Sequence, residues 1–332
     1  MIINIGIDVS KEKLDFCWLR DVSTGKKKSK VFRNQRKLFA DIIQWISKNT
    51  KTEPQRILIT LEATGVYHEG LIYFLHEQGF QIFLANPGKA KKYAEALGLV
   101  HKTDKSDAAM LARYGSSQTD DVVLWQPEAP QVRELKALLR RLDALEKDSQ
   151  REKNRLEASE ISECSERVVQ SIRDMILIIE TEIVGLKQEI DDHIDRHPIL
   201  KNNRQLLKSI KGIGDVMARE LVYLFAAKDF KTAKQVAAYV GLIPKLKESG
   251  KFKGHTTLSK IGPSRLRAKL YMAAVSACQH NPDIKVQRAR LLNAGKTKMQ
   301  ALGAAMRKLI QICFGVVKNQ TEYQPQVAQI MT

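Results

Sequence analysis

The chain has 332 residues, 43% hydrophobic and 28% charged, long enough for two domains with cores of their own and too apolar for disorder. No window approaches eighteen uncharged apolar residues, the amino-terminal stretch lacks the basic-then-apolar layout of a signal peptide, and four scattered cysteines form no CxxC pair; membrane insertion, export, a disulfide framework and a zinc site are therefore not expected, and the cytoplasm is the expected compartment. The net charge of +18 is uneven: residues 1–200 hold 31 basic and 31 acidic side chains, residues 201–332 hold 24 and 6, an excess that points to nucleic acid phosphates, with a solubilising surface or an anionic-lipid patch as the alternative.

Ile2, Ile3, Ile5, Ile7 and Val9 form a β-branched run, the pattern of a strand covered on both faces, and Asp8 interrupts its end. A carboxylate there is costly unless something binds it; a divalent metal is one candidate and a turn cap is the other. Residues 11–20 read as a second strand and, after a turn at 25–28, residues 30–33 as a third. Leu38, Phe39, Ile42, Ile43 and Ile46 step at helical spacing and predict an amphipathic helix over 34–49. The strand at 56–61 again ends in a carboxylate, Glu62, and is followed by a helix over 67–78, a strand over 80–84 and a helix from Asn86 to about residue 97. Such alternation after a meander describes a mixed sheet with helices on its faces.

If the first strand and 57–61 are parallel neighbours, Asp8 and Glu62 share the carboxyl edge of the sheet, where open α/β folds build ligand sites. Asp104 and Asp107 stand three apart at a predicted helix start and can project from one face; an N-cap with a first-turn partner gives the same pattern. Four carboxylates converging on one sheet end would repel unless cations lay between them, which is the arrangement of a two-Mg²⁺ phosphoryl-transfer site.

Pro127 and Pro130 mark a boundary. Beyond it Leu135, Leu138, Leu142 and Leu145, then Val169, Ile172, Ile176, Ile179, Ile183, Leu186 and Ile190, keep the three-four rhythm of a coiled coil, with a charged stretch over 151–166 as either solvated helix or hairpin hinge. A seam this narrow needs a partner helix, from the chain itself or from a second copy. After Pro198, two apolar helices around Gly212-Ile213-Gly214 resemble a helix-hairpin-helix, whose turn offers N–H groups to a phosphate; a purely structural hairpin reads the same. Residues 230–240 read as helix. Residues 245–269 are among the most basic of the chain, with Lys245, Lys247, Lys251, Lys253, Lys260, Arg265, Arg267 and Lys269 against the single acid Glu248, next to Ser249. All but Lys269, with Gly212, Gly214 and Lys102, are the candidate nucleic-acid contacts. Helices at 266–277 and 301–318 flank a basic run at 285–298. The expected organisation is an α/β domain over 1–126, coiled-coil helices over 127–198 and a basic, mostly helical domain over 199–332.

Seven short stretches, in this order and spacing, carry a family resemblance: Ile5-Gly6-Ile7-Asp8-Val9-Ser10-Lys11, Glu62-Ala63-Thr64-Gly65-Val66-Tyr67, Lys102-Thr103-Asp104-Lys105-Ser106-Asp107-Ala108, Ile210-Lys211-Gly212-Ile213-Gly214, 237–244, Glu248-Ser249-Gly250 and 266–272. Over nearly its whole length the chain resembles the DEDD transposases of bacterial insertion sequences, the insertion-sequence one-ten family, related to the invertase of pilin genes. The resemblance implies an N-terminal RuvC-like (RNase H-like) domain whose Asp8, Glu62, Asp104 and Asp107 hold two Mg²⁺ or Mn²⁺ ions. It also implies a C-terminal transposase domain whose Ser249 attacks a DNA phosphate to give a covalent phosphoserine.

The same resemblance implies a composite site between protomers of a homodimer or dimer of dimers, donor and target DNA as substrates, and a structured guide (bridge) RNA that pairs with both. A nucleoid-associated cytoplasmic protein is implied as well. The chain has no zinc finger or basic zipper, which fits recognition delegated to an RNA. Two other readings are a hydrolytic RuvC-like nuclease, with Ser249 only a phosphate contact, and a non-catalytic nucleic-acid-binding protein whose carboxylates are caps.

Overall fold

The computed structural model describes residues 2–63, 65–98, 104–118, 122–245, 248–249, 252–253 and 257–326, with Asp104, Lys105, Glu248, Ser249, Phe252 and Lys253 described by their backbone alone. Two compact units, Met1–Pro127 and Glu128–Thr332, divide the chain.

In the first unit the expected meander forms as β1 (Ile3–Val9), β2 (Lys13–Leu19) and β3 (Lys27–Arg33), joined by β4 (Ile57–Glu62) and β5 (Gln81–Ala85) in the order β3-β2-β1-β4-β5. Neighbours are antiparallel within the meander, whereas β1–β4 and β4–β5 are parallel, so the sheet is mixed, consistent with a RuvC-like domain. Side chains alternate across it. Ile5, Ile7, Ile59, Leu61, Leu14, Phe16 and Phe32 form one buried face under α1 (Phe39–Thr50) and α2 (Glu69–Glu77). Phe16, Phe32 and Trp45 meet edge-on at centroid distances of 5.3, 6.2 and 6.0 Å, and each such burial contributes about 1.5–3 kcal/mol. α1 begins five residues later than its apolar spacing predicts, because Gln35 is extended and residues Arg36–Leu38 make a 3₁₀ turn.

The other face carries α4 (Asp104–Ser117), reached through α3 (Pro87–Ala96). Its packing explains Gly6: a Cβ there would lie 2.0 Å from the Ala108 carbonyl oxygen and 2.4 Å from the Ala112 nitrogen, so helix backbone lies directly on strand backbone.

The second unit is helical, with two small hairpin ladders. α5 (Pro130–Ile161) and α6 (Glu166–Arg196) fold back on each other around 162–165, which makes the charged stretch both the end of a helix and a hinge. Leu135, Leu139, Leu142, Leu145, Ile179, Ile183 and Ile190 are buried in the same core as α7 (Pro198–Lys208), α8 (Asp215–Ala227) and the helices after them, so the segments expected at 127–198 and 199–332 share one core. α9 (Ala233–Tyr239) is shorter than 230–240 because Thr232 and Gln235 form a capping box at its start. α10 (Ser264–His280), α11 (Pro282–Asn293) and α12 (Lys298–Asn319) follow; most of the basic run at 285–298 is thus helix, N-capped by the Asn281 side chain. Among the described residues no helix is long and apolar enough to cross a membrane.

Candidate functional site

The register fixes which carboxylates share a face. β1 and β4 run parallel with Ile7 beside Leu61, so Asp8 and Glu62, one step further, are lateral neighbours at the carboxyl edge of the sheet. Asp8 is two residues from Gly6, and Glu62 two from Thr60. Both reference residues face α4, since a Cβ on Gly115 of that helix would lie 2.0 Å from Thr60 Oγ1. Asp8 and Glu62 therefore point to the α4 side, and both are half-buried. α4 opens with Asp104, and its half-buried Asp107 immediately precedes Ala108, the residue that rides on Gly6. The side chain of Asp104 lies outside the described residues. Among the described side chains no three His, Cys, Asp or Glu converge closely enough to hold a metal ion.

Asp15 is the acidic residue that reading the sequence missed. It pairs directly with Asp8 across the antiparallel β1–β2 ladder, is only 4% exposed, and faces α4 like Cys17, which packs on Ala108 and Ala109. Opposed like charges on neighbouring strands destabilise a sheet, and Lys13 Nζ, 3.4 Å from Asp15 Oδ2, offsets part of this. The alternation Leu14-Asp15-Phe16 was the available signal: an acid on the inward phase of an otherwise apolar strand.

In the second unit, Ser249 lies in a two-tier hairpin. β6 (Pro244–Lys245) pairs with β9 (Thr257–Leu258), and beyond them β7 (Glu248–Ser249) pairs with β8 (Phe252–Lys253), Ser249 opposite Phe252. Ser249 is thus the last paired residue before the tip. The root is clamped: Ser259 N–H donates to the Ile243 carbonyl at 2.9 Å and Lys260 N–H to Gly241 at 3.1 Å. Gly241 and Gly262, with φ of +78° and +108°, allow this crossing, for a Cβ at Gly262 would lie 1.9 Å from the Tyr239 oxygen. Of the other hydroxyls in this stretch, Ser259 Oγ is buried and Thr257 is exposed, while Thr256 lies outside the described residues.

The expected nucleic-acid contacts divide into three groups. Lys245 and Lys260 are exposed beside the hairpin; Lys253 is described by its backbone in β8, and Lys102, Lys247 and Lys251 lie outside the described residues. Arg265 instead bonds within the protein, to Glu220 Oε1 at 2.8 Å and Asp143 Oδ1 at 2.7 Å, tying α10 to α8 and α5, and Arg267 donates to the Val240 carbonyl at 3.0 Å. These internal partners, which no local pattern announces, give both arginines a structural task. Gly212 has φ +102° and packs its Cα against Ala277, so its glycine is required by the turn's seat on α10. Gly214 is exposed and starts α8 without a side-chain cap, next to exposed Lys211 and to Lys208, which pairs with Asp215 at 2.6 Å. That helix start leaves backbone donors toward solvent, as a phosphate-binding hairpin needs.

Two family models match the chain: one described as transposase, of the DEDD, IS110 type, over residues 5–159, and one described as transposase of the IS116/IS110/IS902 family over residues 204–288. The pilin gene-inverting proteins of Moraxella bovis and Moraxella lacunata are each 30% identical over 329 residues, covering 97% of this chain and 98% of theirs. An insertion element IS110 protein of Streptomyces coelicolor is 26% identical over 158 residues, 47% of this chain and 38% of its own. The first match spans the carboxylate-bearing sheet and the second the glycine turn and serine hairpin, and the inverting proteins align with both units: the chain belongs to the IS110 family of transposases, which are DNA recombinases.

Proposed function

We propose that this chain cuts and rejoins donor and target DNA by phosphoryl transfer, with Asp8, Glu62, Asp104 and Asp107 as metal ligands and Ser249 as nucleophile. The supporting observation is the shared edge: Asp8 and Glu62 are neighbours on parallel strands, on the face covered by the helix that carries Asp104 and Asp107. The donor set is all carboxylate oxygen, the chemistry that suits Mg²⁺ or Mn²⁺ and not a thiolate-loving ion. When bound, such ions would neutralise charge on a scissile phosphate. The carboxylates hold and orient them, and α4, set on Gly6 at backbone contact, fixes the spacing of Asp107 relative to Asp8. Ser249 forms an Oγ–P bond while a P–O bond to deoxyribose breaks; its hydroxyl proton is released and the leaving oxygen is protonated.

A structured RNA guides target choice in this reading, and the basic second unit, with Lys245, Lys260 and the α8 start, binds its backbone or that of DNA. A homodimer is supported by apolar side chains outside the hairpin seam: Met175, Leu177, Ile178 and Val184 are 46% to 69% exposed on α6. The protein is placed in the bacterial cytoplasm, at the nucleoid.

The deciding experiment is an adduct assay with the full chain, Mg²⁺, RNA from the element's flank and labelled donor DNA, denatured before electrophoresis. Label migrating with protein in wild type and lost in Ser249→Ala is the expected result. Cleaved DNA with no adduct in either would replace the serine mechanism with hydrolysis, and cleavage that survives Asp8→Asn or chelation would remove the metal site.

A further inference from the structure

The positive charge of the second unit draws attention away from a denser patch in the first. Residues 26–51 hold nine Lys or Arg and one acid, Asp41. In the fold this segment is the edge strand β3 and helix α1, and between them lies an open groove of about 520 Å³ lined by Lys28, Lys30, Asp41, Gln44 and Lys48 over Phe32 and Trp45. Lys28 Nζ is held by the neutral Asn49 Oδ1 at 2.6 Å, and Lys30 Nζ stands 4.8 Å from the Phe32 ring centroid. Among the described residues none of Lys28, Lys30 and Lys48 has a carboxylate within ion-pair distance, in contrast to the cations of α8 and α10. Three lysines against the single Asp41 leave the groove net positive, and a polyanion relieves their mutual repulsion.

The register sets what that polyanion can do. Phe32 pairs with Leu14, Lys30 with Phe16 and Lys28 with Trp18, and Phe16 and Phe32 pack on Trp45 of α1. The groove therefore opens on the α1 face of the sheet, and Asp8, Asp15 and Glu62 open on the α4 face. Nucleic acid held here is not the strand held at the carboxylates. The groove offers no stacking platform either, since Trp45 and Phe32 are each 8% exposed and engaged edge-on with Phe16. Single strands bind basic grooves through exposed aromatics, so a groove of cations without them fits the double-helix backbone. Lys28 and Lys30 lie about 7 Å apart along the strand and Lys48 adds a third cation from α1, enough to meet about three phosphates of a duplex.

We propose that the β3–α1 groove, through Lys28, Lys30 and Lys48, binds the backbone of duplex DNA flanking the recombination site, independently of sequence. This rests on the reading that the chain acts on DNA, and it assigns to the first unit a positioning surface separate from its carboxylates.

The test uses the full chain and a labelled 40-base-pair DNA duplex of arbitrary sequence, read by fluorescence anisotropy across a salt series. Substitution of Lys28, Lys30 and Lys48 by Gln is expected to weaken binding about 10- to 100-fold at low salt and to reduce the log–log salt slope by about two to three, since each phosphate contact contributes about 0.9. Substitution of the same positions by Arg is expected to retain binding. The matched charge change on the long hairpin, at Arg151, Lys153 and Arg155, is expected to leave both quantities near wild type. Equal affinity and slope in the groove variant, an equal loss in the hairpin variant, or a larger loss for a matched RNA duplex than for DNA would each overturn the proposal. Wild type that binds no DNA would overturn the reading beneath it too, whereas a groove variant that binds normally and still gives the Ser249 adduct would sink only the groove.

Discussion

The two units hold the proposed reactive groups in opposite ways. Asp8 and Glu62 stand in strands hydrogen-bonded on both sides, above a helix that touches the sheet backbone to backbone. Ser249 stands in a two-rung ladder that lies, along the chain, between the two strands of another two-rung ladder, whose root is clamped by two glycines. A core positions the first pair, whereas a single crossing positions the second. Damage to the sheet should therefore cost the first unit its folding, whereas damage to the root should displace Ser249 and leave the first unit intact.

The largest expected effect is on chemistry at the sheet. Asp8→Asn keeps the shape and removes the charge, and strand cleavage should fall about 10³-fold, or about 4 kcal/mol of barrier, with the melting curve retained. Gly6→Ala instead drives a methyl into the Ala108 carbonyl and should destabilise the first unit by about 3 kcal/mol or more, read as loss of Trp fluorescence structure at lower denaturant. If Gly6→Ala melts like wild type, α4 is not seated as described and the shared face of the carboxylates loses its basis.

At the hairpin root, Gly262→Ala meets both a φ of +108° and the Tyr239 oxygen at 1.9 Å. Displacing the proposed nucleophile by about an ångström costs on the order of 10²-fold in rate, so cleavage or adduct formation should drop by about that factor while the first unit's stability stays unchanged. A variant with normal rates would show that the root does not position Ser249.

Much of this contrast was legible in the residues. The two apolar strands ending in Asp8 and Glu62 announced their edge because β-branched runs on a parallel pair leave a carboxylate no other outlet than the sheet's end. Periodicity also gave the long helices, with the hairpin hinge as one of two readings of the charged stretch between them. Asp15 was hidden because its strand reads as Lys-Leu-Asp-Phe, ordinary alternation until the register sets it against Asp8. The tasks of Arg265 and Arg267 were hidden because their partners, Asp143, Glu220 and Val240, are 27 to 122 residues away in sequence. Charge counting saw the basic second half yet passed over the β3–α1 groove, whose cations are balanced in sequence by acids that lie elsewhere in space.

Asp15→Asn sharpens the picture of the sheet face. Without metal, it removes a like charge opposite Asp8 at the cost of an ion pair to a 46%-exposed lysine side chain, two effects of up to about 1 kcal/mol each that oppose one another. With metal, it removes negative potential where the cation would sit. The melting temperature without metal should therefore change little, while the stabilisation brought by Mg²⁺ should shrink by at least half. An unchanged Mg²⁺ effect would make Asp15 a purely structural acid.

The smallest effect concerns how each unit resists acid. The first is held by an apolar and aromatic core, and the second adds ion pairs between helices, of which Asp191 is the hub: it accepts from Arg219 Nη2 at 2.6 Å and Nε at 2.9 Å, and from Arg204 Nη1 at 3.2 Å. Hydrogen bonding from Arg219 lowers the Asp191 pKa against the opposing effect of burial, and the same contact raises that of Arg219. A carboxyl lower in the folded than in the unfolded chain, where it titrates near about 3.9, stabilises fully above that pH and loses its contribution as pH falls through the folded value. All three tryptophans, Trp18, Trp45 and Trp125, lie in the first unit. In a titration from pH 5 to pH 2, helical circular dichroism should thus decline before tryptophan emission shifts. Asp191→Asn should weaken the second unit by about 1 kcal/mol at neutral pH and flatten its acid dependence below pH 4, the modest size reflecting partial exposure of the pair. Coincident transitions, or emission shifting first, would mean that acid sensitivity resides in the sheet and its carboxylates and not in the helical ion pairs.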